Sequence, residues 1–328
     1  MSQIAVDAMG GDRAPEEVVF GAVDAARTGV DVVLVGDANR IRPILEGVGA
    51  EVPVLHASQV IGMADDPSAA IREKKDASVS VAARLVAAGE AQGLVSAGST
   101  GAAMAAAAFI IGRLPGVSRP AIATLMPTSK VVLDSGANLA ARADQLAQFA
   151  VMGSALASSH LGLASPRVGL LNIGEEVGKG RDLEKEAYKL IASIPGITFV
   201  GNVEGRDLAT SVADVFVTDG FTGNVLLKTA EGAAQMVEQM LTEAIAADDS
   251  LRAAMGQVGP ALAAFRRRLD PESVGGAHLL GVAGVVVIAH GSSSRHAVAN
   301  AIAMAGEGAD DALPEKIEKG LATTSAHA

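Results

Sequence analysis

Short runs of almost wholly apolar, β-branched residues alternate along this chain with alanine-rich stretches of helical character, and that alternation leaves few folds open. DVVLVG (31–36), KVVLD (130–134), RVGLLNI (167–173) and VVVIAH (285–290) show the pattern, repeated at 3–8, 51–57, 93–97, 121–126, 198–203 and 213–219. A strand apolar on both faces is buried on both faces, as a parallel strand covered by helices is. The intervening stretches at 15–28, 67–91, 101–112, 143–160, 181–193, 205–211 and 223–247 supply those helices. Strand–helix alternation implies right-handed crossovers and a mostly parallel sheet. The sequence therefore predicts a three-layer αβα protein of the α/β class. The expected organisation is a single catalytic domain over 1–321, as one body or two lobes, with 223–272 a protruding helical segment and 322–328 a disordered tail.

Composition narrows the core and the partners. Hydrophobic residues make up 49% of the chain but aromatics only 2%, so Ala, Val, Leu and Ile must fill the interior. There is no cysteine, which excludes disulfides, thiolate metal sites and a cysteine nucleophile. The start, MSQIAVDAMGG, lacks the basic and apolar regions of a signal peptide, and the longest apolar runs are too short to span a bilayer. The expectation is a soluble intracellular, cytoplasmic protein. A net charge of −11 argues against nucleic acid as a partner. An anionic ligand would need local cations such as those of IREKK (71–75) or FRRR (265–268), each of which also reads as a solvated helix face.

The strand ends carry the functional signal. MGGD (9–12), GSTG (98–101), SGAN (135–138), IGEEVGKG (173–180), GFTGN (220–224) and GSSS (291–294) each follow a predicted strand. In a uniformly parallel sheet these loops share one edge, where helix starts offer free N–H groups to an anion. The candidate ligand-binding residues are Asp7, Gly10 and Gly11 after the first strand, and Gly98, Ser99, Thr100 and Gly101 after the fourth. Asn138, Gly174, Asp219, Thr222 and Gly223 complete the set. LNIGEEVGKG (171–180) resembles a nucleotide P-loop, but Gly174 and Gly178 stand one residue too close. Gly180 also occupies the magnesium-binding Ser/Thr position.

No G-x-S-x-G elbow, H-E-x-x-H pair or G-x-G-x-x-G fingerprint is present, so a serine hydrolase, a zinc site and a dinucleotide site lack support. What remains is a set of hydrogen-bond donors with a cation and no strong nucleophile. That suits a reaction whose nucleophile is itself a substrate, such as inorganic phosphate attacking an acyl thioester. Phosphate is anionic at neutral pH and needs positioning, with donors for the developing oxyanion. Lys179 can offset the charge, and Asn224, Ser99, Thr100 and helix-start amides can do the rest. His290, beside glycine and serines, reads equally as a strand-end cap or a catalytic group.

The motifs VDAMGGDRAPEEVV, SAGSTGA, GRLPGVSRPAIATLMPT, LDSGAN, QFAVMGS, LLNIGEEVGKG, GNVEGRD, VTDGFTGNVLLKTAEG and AHGSS closely resemble the bacterial phosphate acyltransferase family called PlsX, in order from about residue 3 to residue 303. The resemblance implies transfer of a fatty acyl group from acyl carrier protein to orthophosphate, giving acyl phosphate for phospholipid synthesis. It implies a fold like the isopropylmalate dehydrogenases and phosphotransacetylases, a homodimer, and peripheral association with the membrane. No cofactor or metal is expected for such a reaction, and a downstream glycerol-phosphate acyltransferase is expected to take the product. By position, the family's loop lysine and G-F-T-G-N asparagine fall on Lys179 and Asn224, both tied to phosphate. After LDSGAN the chain departs from the family's usual Val-Asp continuation and reads LAARADQL, so no contact is expected of this loop beyond Asn138.

A second region concerns partners. Leu251, Met255, Val258, Leu262, Phe265 and Leu269 form one apolar helical stripe, interrupted at Gly259–Pro260 and followed by Arg266, Arg267 and Arg268. The stripe reads as a helical hairpin packed on a dimer partner, or as an amphipathic tip with Met255 and Val258 in lipid and the arginines at anionic headgroups. The same arginines could receive an acidic carrier protein. Two rival functions stay open at this level. One is an NAD-linked hydroxyacid dehydrogenase on the related fold. The other is a non-catalytic phosphate- or lipid-binding regulator.

Overall fold

The computed structural model describes residues 2–325, with the side chains of 252, 253, 267–269, 271, 324 and 325 outside that description. The chain opens with β1 (Gln3–Asp7), α1 (Glu16–Arg27), β2 (Asp31–Gly36), α2 (Ala38–Gly47) and β3 (Val54–His56). Then come α3 (Pro67–Glu73), α4 (Ser78–Ala87), β4 (Gly93–Ser96) and α5 (Thr100–Ala106), which runs on into a π-helical turn at Ala107–Ile111. The middle holds β5 (Ala121–Met126), β6 (Lys130–Leu133), α6 (Ala143–Leu161), β7 (Arg167–Leu171), α7 (Asp182–Ala192), β8 (Thr198–Val203) and β9 (Val215–Val217). Two long helices, α8 (Gly220–Ala247) and α9 (Asp249–Leu269), lead to β10 (Ala277–Leu280), β11 (Val285–Ile288), α10 (Arg295–Asp310) and α11 (Leu313–Ser325).

All the strands belong to one 11-stranded sheet of order β3-β2-β1-β4-β11-β10-β5-β6-β9-β7-β8. It is mixed and mostly parallel, and helices flank it, as the sequence predicts. The interior is aliphatic, with Phe149 and Phe216 the largest buried side chains among Ile, Leu, Val and Ala. Helices pack closely where side chains are small. A Cβ on Gly21 of α1 would stand 2.6 Å from the Arg295 carbonyl of α10.

One expectation fails in an informative way. β10 runs antiparallel to β11 and to β5, and β5 runs antiparallel to β6. An odd number of reversals leaves β6, β9, β7 and β8 pointing opposite to β3, β2, β1, β4 and β11. The six strand-end loops therefore do not share one edge. Those after β1, β4 and β11 leave one edge, and those after β6, β7 and β9 leave the other. β10 itself is a short AHLL run that the apolar pattern does not single out. Its His278 is 1% exposed, with Nε2 3.0 Å from His160 Nε2. Burial and the neighbouring ring hold the His278 pKa well below the usual imidazole value.

Smaller corrections follow from local chemistry. The stretch 67–91 is two helices, because the chain turns at Lys74–Ala77, where the Asp76 carboxylate accepts from Ser58 N at 2.8 Å. α9 passes through Pro260 without a break; the Gly256 carbonyl that loses its N–H partner there lies on an exposed residue, open to water. α11 continues to Ser325, so 322–325 are helical rather than loose, and 326–328 lie outside the described residues.

Candidate active site

Above the central strands lies a cavity of about 550 Å³, within the usual range for a small-molecule site. Groups from both edges of the sheet line it. Gly98, Thr100, His290 and Gly291 come from the loops after β4 and β11, and Ser135, Gly136 and Asn224 from the loop after β6 and the start of α8. The loops that strand direction separates thus meet over the short middle strands. At this end the Thr124 and Ser135 hydroxyls are 2.7 Å apart. Away from it the walls are mostly apolar, with Met126, Leu208, Leu227, Ala230, Ala234 and Val274.

The loop after β6 is a buried knot. Asp134, 0% exposed, accepts from the backbone N–H groups of Ile122, Gly136, Ala137 and Asn138 at 2.8–3.2 Å. Burial pushes its carboxyl above the usual value even against these donors. The Asn138 side-chain N–H₂ donates to the Pro120 carbonyl and to Asp134, each at 2.8 Å, and the Asn138 carbonyl accepts from Gly220 N. The first turn of α8 lies directly on this knot. A Cβ on Gly223 would stand 1.9 Å from the Asp134 carbonyl oxygen, so only glycine fits. That contact sets Asn224 against Gly136, whose φ of +148° carries the backbone past it.

α8 is capped by Asp219, whose carboxylate accepts from Thr222 N at 2.7 Å and pairs with Arg181. Burial pulls the Asp219 carboxyl up, but the Thr222 N–H and Arg181 outweigh it and hold the pKa below the usual range. Arg181 also pairs with Glu184, and both carboxylates push the guanidinium pKa up. Arg181 thereby ties the loop after β7 to the start of α8.

In that loop the Asn172 carboxamide donates to the Lys179 carbonyl at 3.1 Å, and Asn202 donates to the Glu176 carbonyl at 2.9 Å. The backbone is held while the charged side chains face solvent, Glu175 pairing with Arg206 at 3.3 Å. The Lys179 side chain is 51% exposed, with Nζ 3.9 Å from Glu176. The structure does not bring Lys179 or Gly174 into the cavity lining, because β9 separates β7 from β6 in the sheet.

The first-edge loops sort the same way. Asp7 is buried and accepts from the Ser96 hydroxyl at 2.7 Å; burial is the largest influence and raises its pKa. A Cβ on Gly10 would sit 2.8 Å from Gly98 N, and Asp12 N donates to the Gly291 carbonyl at 2.8 Å. Asp7, Gly10 and Gly11 thus bind neighbouring loops together beneath the cavity. Ser99 caps α5, and Gly101 admits Pro67 of α3, which a Cβ would approach to 2.6 Å. Thr100 alone of that loop's polar side chains lines the cavity.

Sequence reasoning missed Lys228, Ser135 and the cavity's apolar half. Lys228 stands four residues after Asn224, hence on the same helix face, and that spacing is the signal that could have found it. Its Nζ pairs with Glu231 at 2.8 Å, and both residues line the cavity.

A family model described as fatty acid synthesis protein matches residues 2–316. Proteins named phosphate acyltransferase match over nearly the whole chain. That of Desulforamulus reducens is 48% identical, covering 98% of both chains, and that of Nitratidesulfovibrio vulgaris is 46% identical, covering 97% of this chain and 94% of its own. The chain belongs to this family, the one its motifs resemble. It is an acyltransferase. Among solved structures, a phosphotransacetylase from Streptococcus pyogenes superposes with a TM-score of 0.62 at 19% identity, covering 94% of each chain. A 4-hydroxythreonine-4-phosphate dehydrogenase from Klebsiella pneumoniae gives 0.55 at 13%, covering 93% of this chain and 98% of its own. The fold is therefore phosphotransacetylase-like, and dehydrogenases share it.

In this family member α8 and α9 form an exposed hairpin turning at Asp248. Arg266 reaches across to Glu238 and to the Thr242 hydroxyl, each at 2.9 Å. Val258 and Phe265 are 49% and 42% exposed, while Met255 and Leu262 are half-buried. The side chains of Arg267 and Arg268 lie outside the described residues. No described helix is long and apolar enough to cross a membrane.

Proposed function

We propose that this chain transfers a fatty acyl group from acyl carrier protein to inorganic phosphate, giving acyl phosphate for phospholipid synthesis. The observation that carries the reading is the cavity itself, which joins hydroxyl, amide and imidazole groups at one end to an apolar channel at the other. The names of the relatives, close to half identical over nearly the full chain, support phosphate as the acceptor.

In this reading a phosphate oxygen attacks the thioester carbonyl carbon at the polar end. The C–O bond forms, the carbonyl oxygen takes up negative charge, and collapse breaks the C–S bond. The carrier thiol leaves with a proton, and the acyl group stays on phosphate. Orthophosphate needs no strong base, so the protein's task is to hold and neutralise. Asn224 and Thr100 donate to the anion or the oxyanion. Lys179, on the loop that Arg181 fastens to the start of α8, approaches when substrate draws it from its loose 3.9 Å pairing with Glu176. His290, exposed at the cavity, serves the departing thiol. The apolar stripe of the hairpin supports a homodimer contact or a peripheral membrane contact.

The test mixes purified protein with palmitoyl acyl carrier protein and orthophosphate. The expected result is a hydroxylamine-reactive product formed in equal amount with free carrier thiol. Thiol without that product means hydrolysis and rejects the reading, as does no turnover.

A further inference from the structure

The cavity is longer than a phosphate and a thioester carbonyl require. Along α8 its wall runs from Asn224 to Ala234, a rise of roughly 15 Å along the helix. Leu227, Ala230 and Ala234 stand at spacings of three and four on the cavity face. Facing them are Met126 and Leu208, both nearly fully buried, in a small core cluster against which Leu227 and Ala230 pack. The only charges on this part of the α8 wall, Lys228 and Glu231, pair with each other at 2.8 Å and so present their methylenes to the channel. A channel of this composition offers ordered water few partners, and an unbranched hydrocarbon needs none.

Resting on the reaction proposed above, we infer that this wall is the seat of the acyl chain and that Ala230 sets how long a chain is accepted. Ala230 contributes a single methyl where the helix faces Met126 and Leu208, so chain passing that point is admitted by the smallness of the side chain. Any larger residue there closes the channel from the side. Chain atoms short of the constriction keep their contacts, and those beyond it lose them. Each methylene kept out of an apolar site costs about fourfold in binding. A side chain that excludes several methylenes therefore discriminates steeply by length. The same geometry predicts the opposite result on the facing wall, where trimming Met126 opens space.

The experiment compares octanoyl and palmitoyl acyl carrier protein with orthophosphate, measuring kcat/KM for the wild-type protein and for Ala230→Leu. The ratio of palmitoyl to octanoyl is expected to fall at least tenfold in the variant; an unchanged ratio overturns the gauge. Met126→Ala is expected to raise the same ratio, and a fall there also overturns it. Displacement of a fluorescent long-chain fatty acid gives a readout independent of turnover. Ala230→Leu is expected to weaken that binding at least tenfold, and equal affinity overturns the channel. If the wild-type protein binds the fatty acid yet makes no acyl phosphate, the reaction fails and the channel stands. Should Ala230→Leu not fold, Ala234→Leu carries the same comparisons, with the same outcomes for and against.

Discussion

The loops after β6 and β7 leave the same edge of the sheet and look alike in sequence, each a strand end running into Gly and Asn, yet they are built in opposite ways. In 134–138 the anchoring side chains turn inward, Asp134 0% and Asn138 5% exposed and hydrogen-bonded to each other, and only the Ser135 hydroxyl meets the cavity. In 172–180 the loop is gripped from below by the carboxamides of Asn172 and Asn202, and its own side chains face out, with Ile173 81% and Val177 75% exposed. The first loop is an anvil for α8. The second is a fixed backbone presenting an exposed cation. Glycine and asparagine at a strand end therefore mark either a buried support or a solvent-facing rim, and the direction of the side-chain hydrogen bonds separates the two.

Substitutions can break that distinction or sharpen it. Lys179→Ala should lower kcat/KM for acyl-phosphate formation by the equivalent of ~2–4 kcal/mol, the loss seen when one electrostatic donor is removed. Its unfolding free energy by urea denaturation should stay within about 0.5 kcal/mol of wild type, as for an exposed residue. Full activity would strip the second loop of its assigned role. Asn138→Ala should show the reverse. It leaves the Pro120 carbonyl and Asp134 short of a donor and should cost about 1–3 kcal/mol of stability by urea denaturation. Its kcat/KM should hold wherever the protein is folded, and a selective loss of phosphate affinity at full stability would place it in the site instead.

The smallest effect concerns the tether between the two loops. The folded state holds Asp219 below its ordinary carboxylate pKa, with the Thr222 N–H and Arg181 outweighing burial. A carboxyl of this kind contributes stability that is complete above the unfolded pKa and is lost as pH falls through the folded one. Asp219→Asn should therefore be less stable than wild type by about 1 kcal/mol at neutral pH. That gap should close on acidification below about pH 4. A gap independent of pH would mean that the carboxylate charge does not hold the tether.

Much of the scaffold is legible because burial on two faces leaves an unmistakable apolar run. The predicted strands at 31–36, 121–126 and 198–203 match β2, β5 and β8 residue for residue. Strand direction leaves no such mark. β10 is four residues, one of them the buried His278, and nothing in AHLL marks it as a strand antiparallel to both its neighbours. Because β10 runs against both neighbours, its two reversals cancel and leave β5 parallel to β11; the expectation of a shared edge fails at β5 against β6, where the connection 127–129 is too short for a crossover. Within the site, Asn224 and Thr100 are legible and do line the cavity, whereas Asp7, Gly10 and Asn138 draw the eye for the same residue types and serve the packing of loops. Lys228 is visible by spacing, but only once the face of α8 that meets the cavity is known.

α8 is one unbroken rod of 28 residues, about 42 Å long, and its foot has no slack. Gly223 is jammed against the Asp134 carbonyl and Asp219 is clamped by Arg181, so the foot behaves as a fulcrum. Beyond Ala234 the rod projects into solvent with α9 folded beside it. Whatever grips the outer arm is therefore joined to Asn224 at the cavity by one continuous helix.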